Sequence, residues 1–250
     1  MSTPAPTVAL VNGGRIPQLG LGTWPLDDDG AERAVATAVE AGYRLVDTAE
    51  NYGNERGVGR GLRASGVPRE ELFVTTKFNR RWHSVDGARE AFERSAERLD
   101  VDYLDLLLVH WPNPDQGRYV QAFEGIVALL REGLVRAAGT SNFTPAQLQE
   151  AIDATGVTPD VNQIQLNPYV AQVPWREFAA GRGIVVEGYS PLWRGRDLLD
   201  EPVVAERRAH TGRRRDRSCC AGTCSSAWCR CPSRPTRSGR RRTSRCSTSR

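Results

Sequence analysis

Short apolar runs alternate with amphipathic stretches between residues 15 and 200. Ala31, Ala34, Val35, Ala38 and Val39 follow the spacing of one helix face, and further helical stretches lie near 88–99, 122–130, 145–155 and 174–182. Strand candidates lie between them, near 19–22, 44–47, 72–76, 104–109, 135–139, 161–166 and 184–188. This alternation predicts repeated β–α units of about 30 residues, with parallel strands joined by helical crossovers.

Two α/β architectures fit this alternation: a doubly wound sheet and a closed (β/α)₈ barrel. A doubly wound dinucleotide-binding sheet would require the pattern G-x-G-x-x-G between a strand and a helix. Gly20-Leu21-Gly22 continues as Thr23-Trp24-Pro25, and the glycines at 57–61 lie inside a helical stretch. We therefore predict a TIM-type (β/α)₈ barrel over residues 1–210, in which only about seven strands can be counted.

The composition changes abruptly near residue 210. Residues 211–250 contain 12 Arg, 8 Ser, 5 Thr and all 6 Cys, but no Leu, Ile, Val, Phe, Tyr or Met. A segment without aliphatic side chains cannot bury enough apolar surface to offset its ordering entropy, so we predict a disordered tail over 211–250. Asp216 is its only acidic residue, so the tail accounts for the net charge of +4 of the chain and the barrel region is acidic.

The composition of this tail bears on several possible functions. It has no C-x-x-C pair and no histidine, so we predict no metal site. No signal peptide or membrane span is evident, which favours a cytoplasmic protein and disfavours a disulfide framework. An Arg-rich arm can bind nucleic acid through phosphates. The abrupt change in composition instead favours a frameshift in the gene, so we do not expect nucleic acid to be a partner.

Functional groups of a barrel lie at the carboxyl ends of its strands. Asp47 and Tyr52 follow the second predicted strand, Lys77 the third and His110 the fourth. Lys77 is the only lysine among 34 Lys and Arg residues, which indicates a need for a compact ammonium group. Each residue alone has an ordinary structural explanation. Together they suit protonation of a carbonyl oxygen during hydride attack on carbon, because an ammonium group favours the phenolate of a neighbouring tyrosine.

Seven segments, in order, resemble the aldo-keto reductase superfamily: GLGTW at 20–24, GYRLVDTAENYGNE at 42–55, VTTKF at 74–78, DLLLVHWP at 105–112, GTSNF at 139–143, NQIQLNPY at 162–169 and GYSPL at 188–192. The pattern is similar to bacterial members of the 2,5-diketo-D-gluconate reductase type. The resemblance covers about residues 8–209. It implies a barrel that binds NADPH without a Rossmann domain, and a cytoplasmic, monomeric oxidoreductase that converts small aldehydes, ketones or keto-sugars to alcohols.

The resemblance also implies roles for individual residues. Tyr52 is the expected proton donor. Lys77, paired with Asp47, is expected to assist it, and His110 is expected to orient the carbonyl. The expected cofactor contacts are Gly22, Thr23, Asp47, Ser141, Asn142, Gln163, Tyr189, Ser190 and Leu192. An aromatic substrate pocket beside His110 is expected from three tryptophans, each of which could instead serve packing: Trp24, Trp82 and Trp111.

The sequence departs from the family after position 210. The family continues with a helix, an eighth strand, a Pro-Lys-Ser turn with an Arg that binds the 2′-phosphate of NADPH, and a C-terminal loop; this chain matches none of them. We therefore expect an incomplete barrel with exposed edges at its first and seventh strands, poor folding, and a weakened preference for NADPH over NADH. The alternative function is a catalytically impaired truncated product, or a nucleotide-binding module without turnover.

Overall fold

The computed structural model describes residues 6–193, 197–204, 206 and 228–232. A short antiparallel hairpin comes first, formed by β1 (Thr7–Ala9) and β2 (Arg15–Pro17). The parallel strands are β3 (Leu19–Gly22), β4 (Leu45–Asp47), β5 (Phe73–Phe78), β6 (Leu106–Val109), β7 (Ala138–Ser141), β8 (Val161–Gln165), β9 (Val185–Tyr189) and β10 (Trp228–Pro232). The helices are α1 (Asp28–Glu40), α2 (Glu55–Ala64), α3 (Val85–Leu99), α4 (Tyr119–Arg131), α5 (Pro145–Thr155) and α6 (Val173–Ala180).

Strands β3 to β9 pair in chain order, each parallel to the next, and helices connect most of them. The predicted (β/α)₈ fold is therefore confirmed, and each of the seven predicted strands is present. The fifth of them, β7, begins at Ala138 rather than near 135. Val135 forms only an isolated bridge with Leu104, so the regular ladder starts three residues later.

The position of the eighth strand is taken by β10, which comes from the C-terminal segment. β10 pairs with β3 at four positions and with β9 at two, and so closes the ring. The ring is therefore not left open between β9 and β3, contrary to our expectation. Strand pairing uses backbone N–H and C=O groups, which a segment without aliphatic residues also supplies. The predicted disorder of 211–250 is thus corrected for residues 228–232; the rest of that segment lies outside the described residues.

The hairpin of β1 and β2 closes the amino-terminal end of the barrel, and the sequence pattern did not predict it. Ile16 and Leu10 are buried against the side chains of the residues that begin the strands, among them Leu45, Phe73 and Leu106. This apolar layer fills the amino-terminal half of the barrel interior. It leaves the polar residues to the opposite, carboxyl-terminal end.

The outer layer of helices packs on the strands through the predicted apolar faces. In α1 the buried positions are Ala31, Val35, Ala38 and Val39, and Asp27 caps the helix by accepting a hydrogen bond from the Gly30 backbone. In the part of the chain that the structure describes, no helix has the length and apolar character needed to cross a membrane.

The glycines of α2 serve close helix packing. A Cβ at Gly57 would lie 2.0 Å from the carbonyl oxygen of Asp28 in α1, and one at Gly59 would lie 2.3 Å from that of Leu99 in α3. A Cβ at Gly61 would meet the Glu32 carbonyl oxygen at 2.7 Å. The glycine-rich stretch therefore lets α2 approach both neighbouring helices, and it lies within a helix as predicted.

Replacing Gly59 with alanine is expected to lower the free energy of unfolding by about 1–3 kcal/mol, because α2 and α3 must separate to admit the methyl group. Urea unfolding followed by circular dichroism measures the change. Gly181→Ala is the matched control: Gly181 has helical backbone angles, and its Cβ would contact nothing closer than 3.6 Å. Equal stability of Gly59→Ala and Gly181→Ala would contradict this account.

Candidate active site

A buried ion pair forms the centre of the carboxyl-terminal mouth. Asp47 ends β4 and Lys77 lies near the end of β5, and the side chains of both are fully buried. The ammonium nitrogen of Lys77 lies 2.5 Å from Asp47 Oδ1 and donates a second hydrogen bond to the Thr48 carbonyl oxygen at 2.7 Å. Gln163 Nε2 donates to the other carboxylate oxygen of Asp47 at 2.6 Å. The ammonium group is therefore held in one position from two sides.

Tyr52 and His110 complete the predicted set of four. Tyr52 lies in a 3₁₀ turn, Glu50–Tyr52, just after β4, and the Lys77 ammonium lies 5.2 Å from the centroid of its ring. The His110 imidazole stands edge-on to the same ring, with centroids 5.9 Å apart and planes at 75°. His110 follows β6 directly. The structure thus brings together a phenol, an ammonium group, a carboxylate and an imidazole from three neighbouring strand ends.

Four of the predicted cofactor residues also form one hydrogen-bonded group. Ser141 Oγ donates to the Gln163 carbonyl oxygen at 2.9 Å. The Asn142 side-chain amide donates to the His110 carbonyl oxygen at 3.1 Å and to Ser141 Oγ at 3.0 Å, and its oxygen accepts from the Tyr189 hydroxyl at 2.9 Å. Because Gln163 also reaches Asp47, these side chains adjoin the ion pair directly.

The other predicted cofactor residues lie at the same end of the barrel. Gly22 ends β3 beside Asp47, and both the backbone nitrogen and the hydroxyl of Thr23 donate to the Asp47 carbonyl oxygen, at 3.0 and 3.2 Å. Ser190 directly follows β9 and has a φ of 51°. Leu192 packs in a small separate cluster with Trp193, Leu198, Leu199 and Val204. In this second group Gly22 and Thr23 therefore adjoin the backbone of Asp47, whereas Ser190 and Leu192 follow β9 at the edge of the mouth.

The three tryptophans divide into two classes. Trp24 and Trp111 follow β3 and β6 and are 46% and 47% exposed, which suits walls of an open pocket. Trp82 is half-buried and packs against the main core. Its indole N–H donates to Glu50 at 2.7 Å, and the guanidinium groups of Arg81 and Arg94 lie over its ring. These contacts support a role for Trp82 in packing against the core and in connecting its loop to Glu50.

Two polar side chains at the mouth were missed as functional candidates. Asn54 is fully buried, donates to the carbonyl oxygens of Thr23 and Leu26, and accepts from the Thr48 hydroxyl. Glu50 accepts four hydrogen bonds from the loop that follows β5. Both lie within the segment GYRLVDTAENYGNE, but their partners are distant in sequence. Neither spacing nor composition could have shown those contacts.

A histidine with an altered pKa lies close to the mouth. His83 is buried, packs edge-on to Phe78, and neither of its ring nitrogens has a hydrogen-bond partner. Burial lowers the pKa of His83 to about 4, and the positive charge of Arg80 adds to this effect. The ring is therefore neutral at pH 7. Within the described residues, no group of three or more His, Cys, Asp or Glu side chains is arranged to hold a metal ion.

Comparison with known proteins adds independent information. The sequence profile of the Aldo/keto reductase family matches residues 17–229. An aldo-keto reductase of Mycobacterium ulcerans is 48% identical over 203 residues, covering 81% of this chain and 72% of that protein. One from Mycobacterium avium is 46% identical over 212 residues, covering 85% and 74%.

Solved structures agree with this assignment. An aldo/keto reductase from Brucella melitensis superposes with a TM-score of 0.86 at 36% identity, over 92% of this chain and 88% of that one. A mutant of Gox0644 in complex with NADPH gives a TM-score of 0.87 at 35% identity, over 92% and 84%. With the barrel and the arrangement of its mouth, these matches establish that the chain is an oxidoreductase of the aldo/keto reductase family.

Proposed function

We propose that this protein reduces aldehydes, ketones or keto-sugars to alcohols, with NADPH as the hydride donor and Tyr52 as the proton donor. One observation carries the proposal: the Lys77 ammonium, fixed by the buried Asp47, lies 5.2 Å from the Tyr52 ring centroid. A cation held beside a phenol stabilises the phenolate that remains once the proton has left. Tyr52 is therefore suited to give its proton to the oxygen of a reacting carbonyl.

His110 suits the second task in this reaction, which is to orient the carbonyl. Its imidazole faces Tyr52 edge-on, so a carbonyl oxygen between the two rings could accept hydrogen bonds from both. The mouth beside them is bordered by the exposed rings of Trp24 and Trp111. Flat apolar walls with a few polar groups at one end favour small carbonyl compounds as the substrate class.

The residues present fit a nicotinamide cofactor. Ser141, Asn142 and Gln163 offer a hydroxyl and two amides, the donor and acceptor types that a carboxamide requires, next to the four central residues. The hydroxyl of Tyr189 is bound to Asn142, which fixes the ring at the edge of this group. When bound, NADPH supplies the hydride for the carbonyl carbon. The NADPH complex of the Gox0644 mutant supports this choice of cofactor.

The full chain is expected to oxidise NADPH only when a carbonyl compound is added, with one alcohol formed for each NADPH consumed. Absorbance at the nicotinamide band, together with product analysis for an aromatic aldehyde, a diketone and a keto-sugar, measures this. Titration of protein fluorescence with NADPH and with NADH measures binding separately. Binding without alcohol formation would favour the alternative, a nucleotide-binding module without turnover, and absence of binding would contradict both.

A further inference from the structure

We propose that Glu50 is a positioning residue that sets the distance between Tyr52 and Lys77; this inference rests on the proposed function. Glu50 opens the 3₁₀ turn that ends at Tyr52, and its side chain is only 5% exposed. Its carboxylate does not point to the Asp47–Lys77 pair. It reaches across to the loop between β5 and α3, which begins directly after the strand that carries Lys77.

The carboxylate of Glu50 accepts four hydrogen bonds from N–H donors of this one loop. Oε1 accepts from the backbone nitrogen of Asn79 at 3.1 Å and from its side-chain amide at 3.2 Å. Oε2 accepts from the indole nitrogen of Trp82 at 2.7 Å and from the guanidinium group of Arg81 at 3.2 Å. Hydrogen bonds to an ionised acceptor are stronger than those between neutral groups, so this set makes a firm link between two loops.

The link matters because the backbone ladder between β4 and β5 stops short of the reacting groups, although Lys77 still pairs with Leu108 of β6. Strands β4 and β5 pair only as far as Asp47 and Thr75, followed by one hydrogen bond from the Thr48 nitrogen to the Thr75 carbonyl oxygen. Tyr52 and Lys77 both lie beyond that point. Asn79 is two residues after Lys77, and Glu50 is two residues before Tyr52. Glu50 therefore ties the two chain segments together above the last paired residues.

A carboxylate can accept hydrogen bonds from all four of these donors, and an amide cannot. The loop presents four donors, and a glutamine at this position would offer a single acceptor oxygen. Its NH₂ group would face N–H donors, and two of them would lose their partner. The turn and the loop would then separate, and Tyr52 would move relative to the Lys77 ammonium. Small misplacements of reacting groups lower the rate of the chemical step more than they weaken binding.

Glu50→Gln in the full chain tests the proposal. We expect kcat for carbonyl reduction to fall about 10- to 100-fold, with KM and the NADPH dissociation constant changed less than about 3-fold. We also expect the pH dependence of kcat to shift, because the environment of the Tyr52 hydroxyl changes. The matched control is Glu55→Gln. Glu55 is as deeply buried and accepts hydrogen bonds from Thr76 and Arg98, but these contacts tie α2 to β5 and α3. The Glu55→Gln variant is expected to have lower thermal stability and an unshifted pH profile of kcat.

A second variant covers the case in which Glu50→Gln does not fold. Trp82→Phe removes the shortest of the four hydrogen bonds and leaves Glu50 in place. A fall in kcat at constant KM supports the positioning role, whereas a rise in KM alone assigns Trp82 to the substrate pocket and contradicts it. A wild-type chain without turnover would contradict the proposed function itself. An active wild type, with unchanged kcat and pH profile in Glu50→Gln, would contradict only the role of Glu50.

Discussion

Tyr52→Phe is expected to lower kcat for carbonyl reduction by about 10²–10⁴-fold, the usual contribution of a positioned general acid. The substitution removes one hydroxyl and keeps the ring, so the edge-on contact with His110 and the approach of the Lys77 ammonium persist. Affinity for NADPH should be unchanged, because the hydrogen-bonded group of Ser141, Asn142, Gln163 and Tyr189 is untouched. Single-turnover kinetics and fluorescence titration measure the two quantities.

Tyr119→Phe serves as the control for loss of a tyrosine hydroxyl. Tyr119 begins α4 in the outer layer of helices, and its hydroxyl donates to Glu150 of α5. This variant should keep its kcat. If Tyr52→Phe retains turnover comparable to that of Tyr119→Phe, another group supplies the proton and the proposed mechanism is wrong.

The central residues of the mouth could be predicted because parallel strands impose a simple rule. Their carboxyl ends meet at one end of a barrel, so Asp47, Lys77 and His110, each at the end of a predicted strand, had to come close together. The single lysine strengthened that prediction. The apolar runs likewise located the strands, because strands buried on both faces have few polar positions.

Other features depend on contacts that the pattern does not encode. Strand β10 is placed by backbone pairing with the edges of β3 and β9, and a composition of Arg, Ser and Cys gives no sign of it. The hairpin of β1 and β2 is too short to show a period. Glu50 finds its partners 29 to 32 positions away, in a loop whose course the sequence does not define. These contacts follow from tertiary structure alone.

The ion pair of Asp47 and Lys77 should matter for stability as well as for catalysis. Lys77→Met removes the ammonium group from a fully buried carboxylate, and removal of one member of a buried pair costs about 3–5 kcal/mol. Total stability of a domain is only about 5–15 kcal/mol, so this loss is large. Arg63→Met provides a matched comparison. Arg63 and Asp100 are also 2.5 Å apart, but their side chains are 52% and 69% exposed. Breaking that pair should cost no more than about 1 kcal/mol.

The double variant Asp47→Asn/Lys77→Met separates the two roles of the pair. It removes both buried charges. Its loss in free energy of unfolding should therefore be well below the sum of the losses of Lys77→Met and Asp47→Asn. Turnover should stay as low as in Lys77→Met, because the ammonium group beside Tyr52 is still absent. Urea unfolding and NADPH oxidation in the presence of an aldehyde measure the two effects. Additive losses of stability would show that the two charges do not stabilise one another. Recovery of turnover in the double variant would show that Tyr52 gives up its proton without the help of a neighbouring cation.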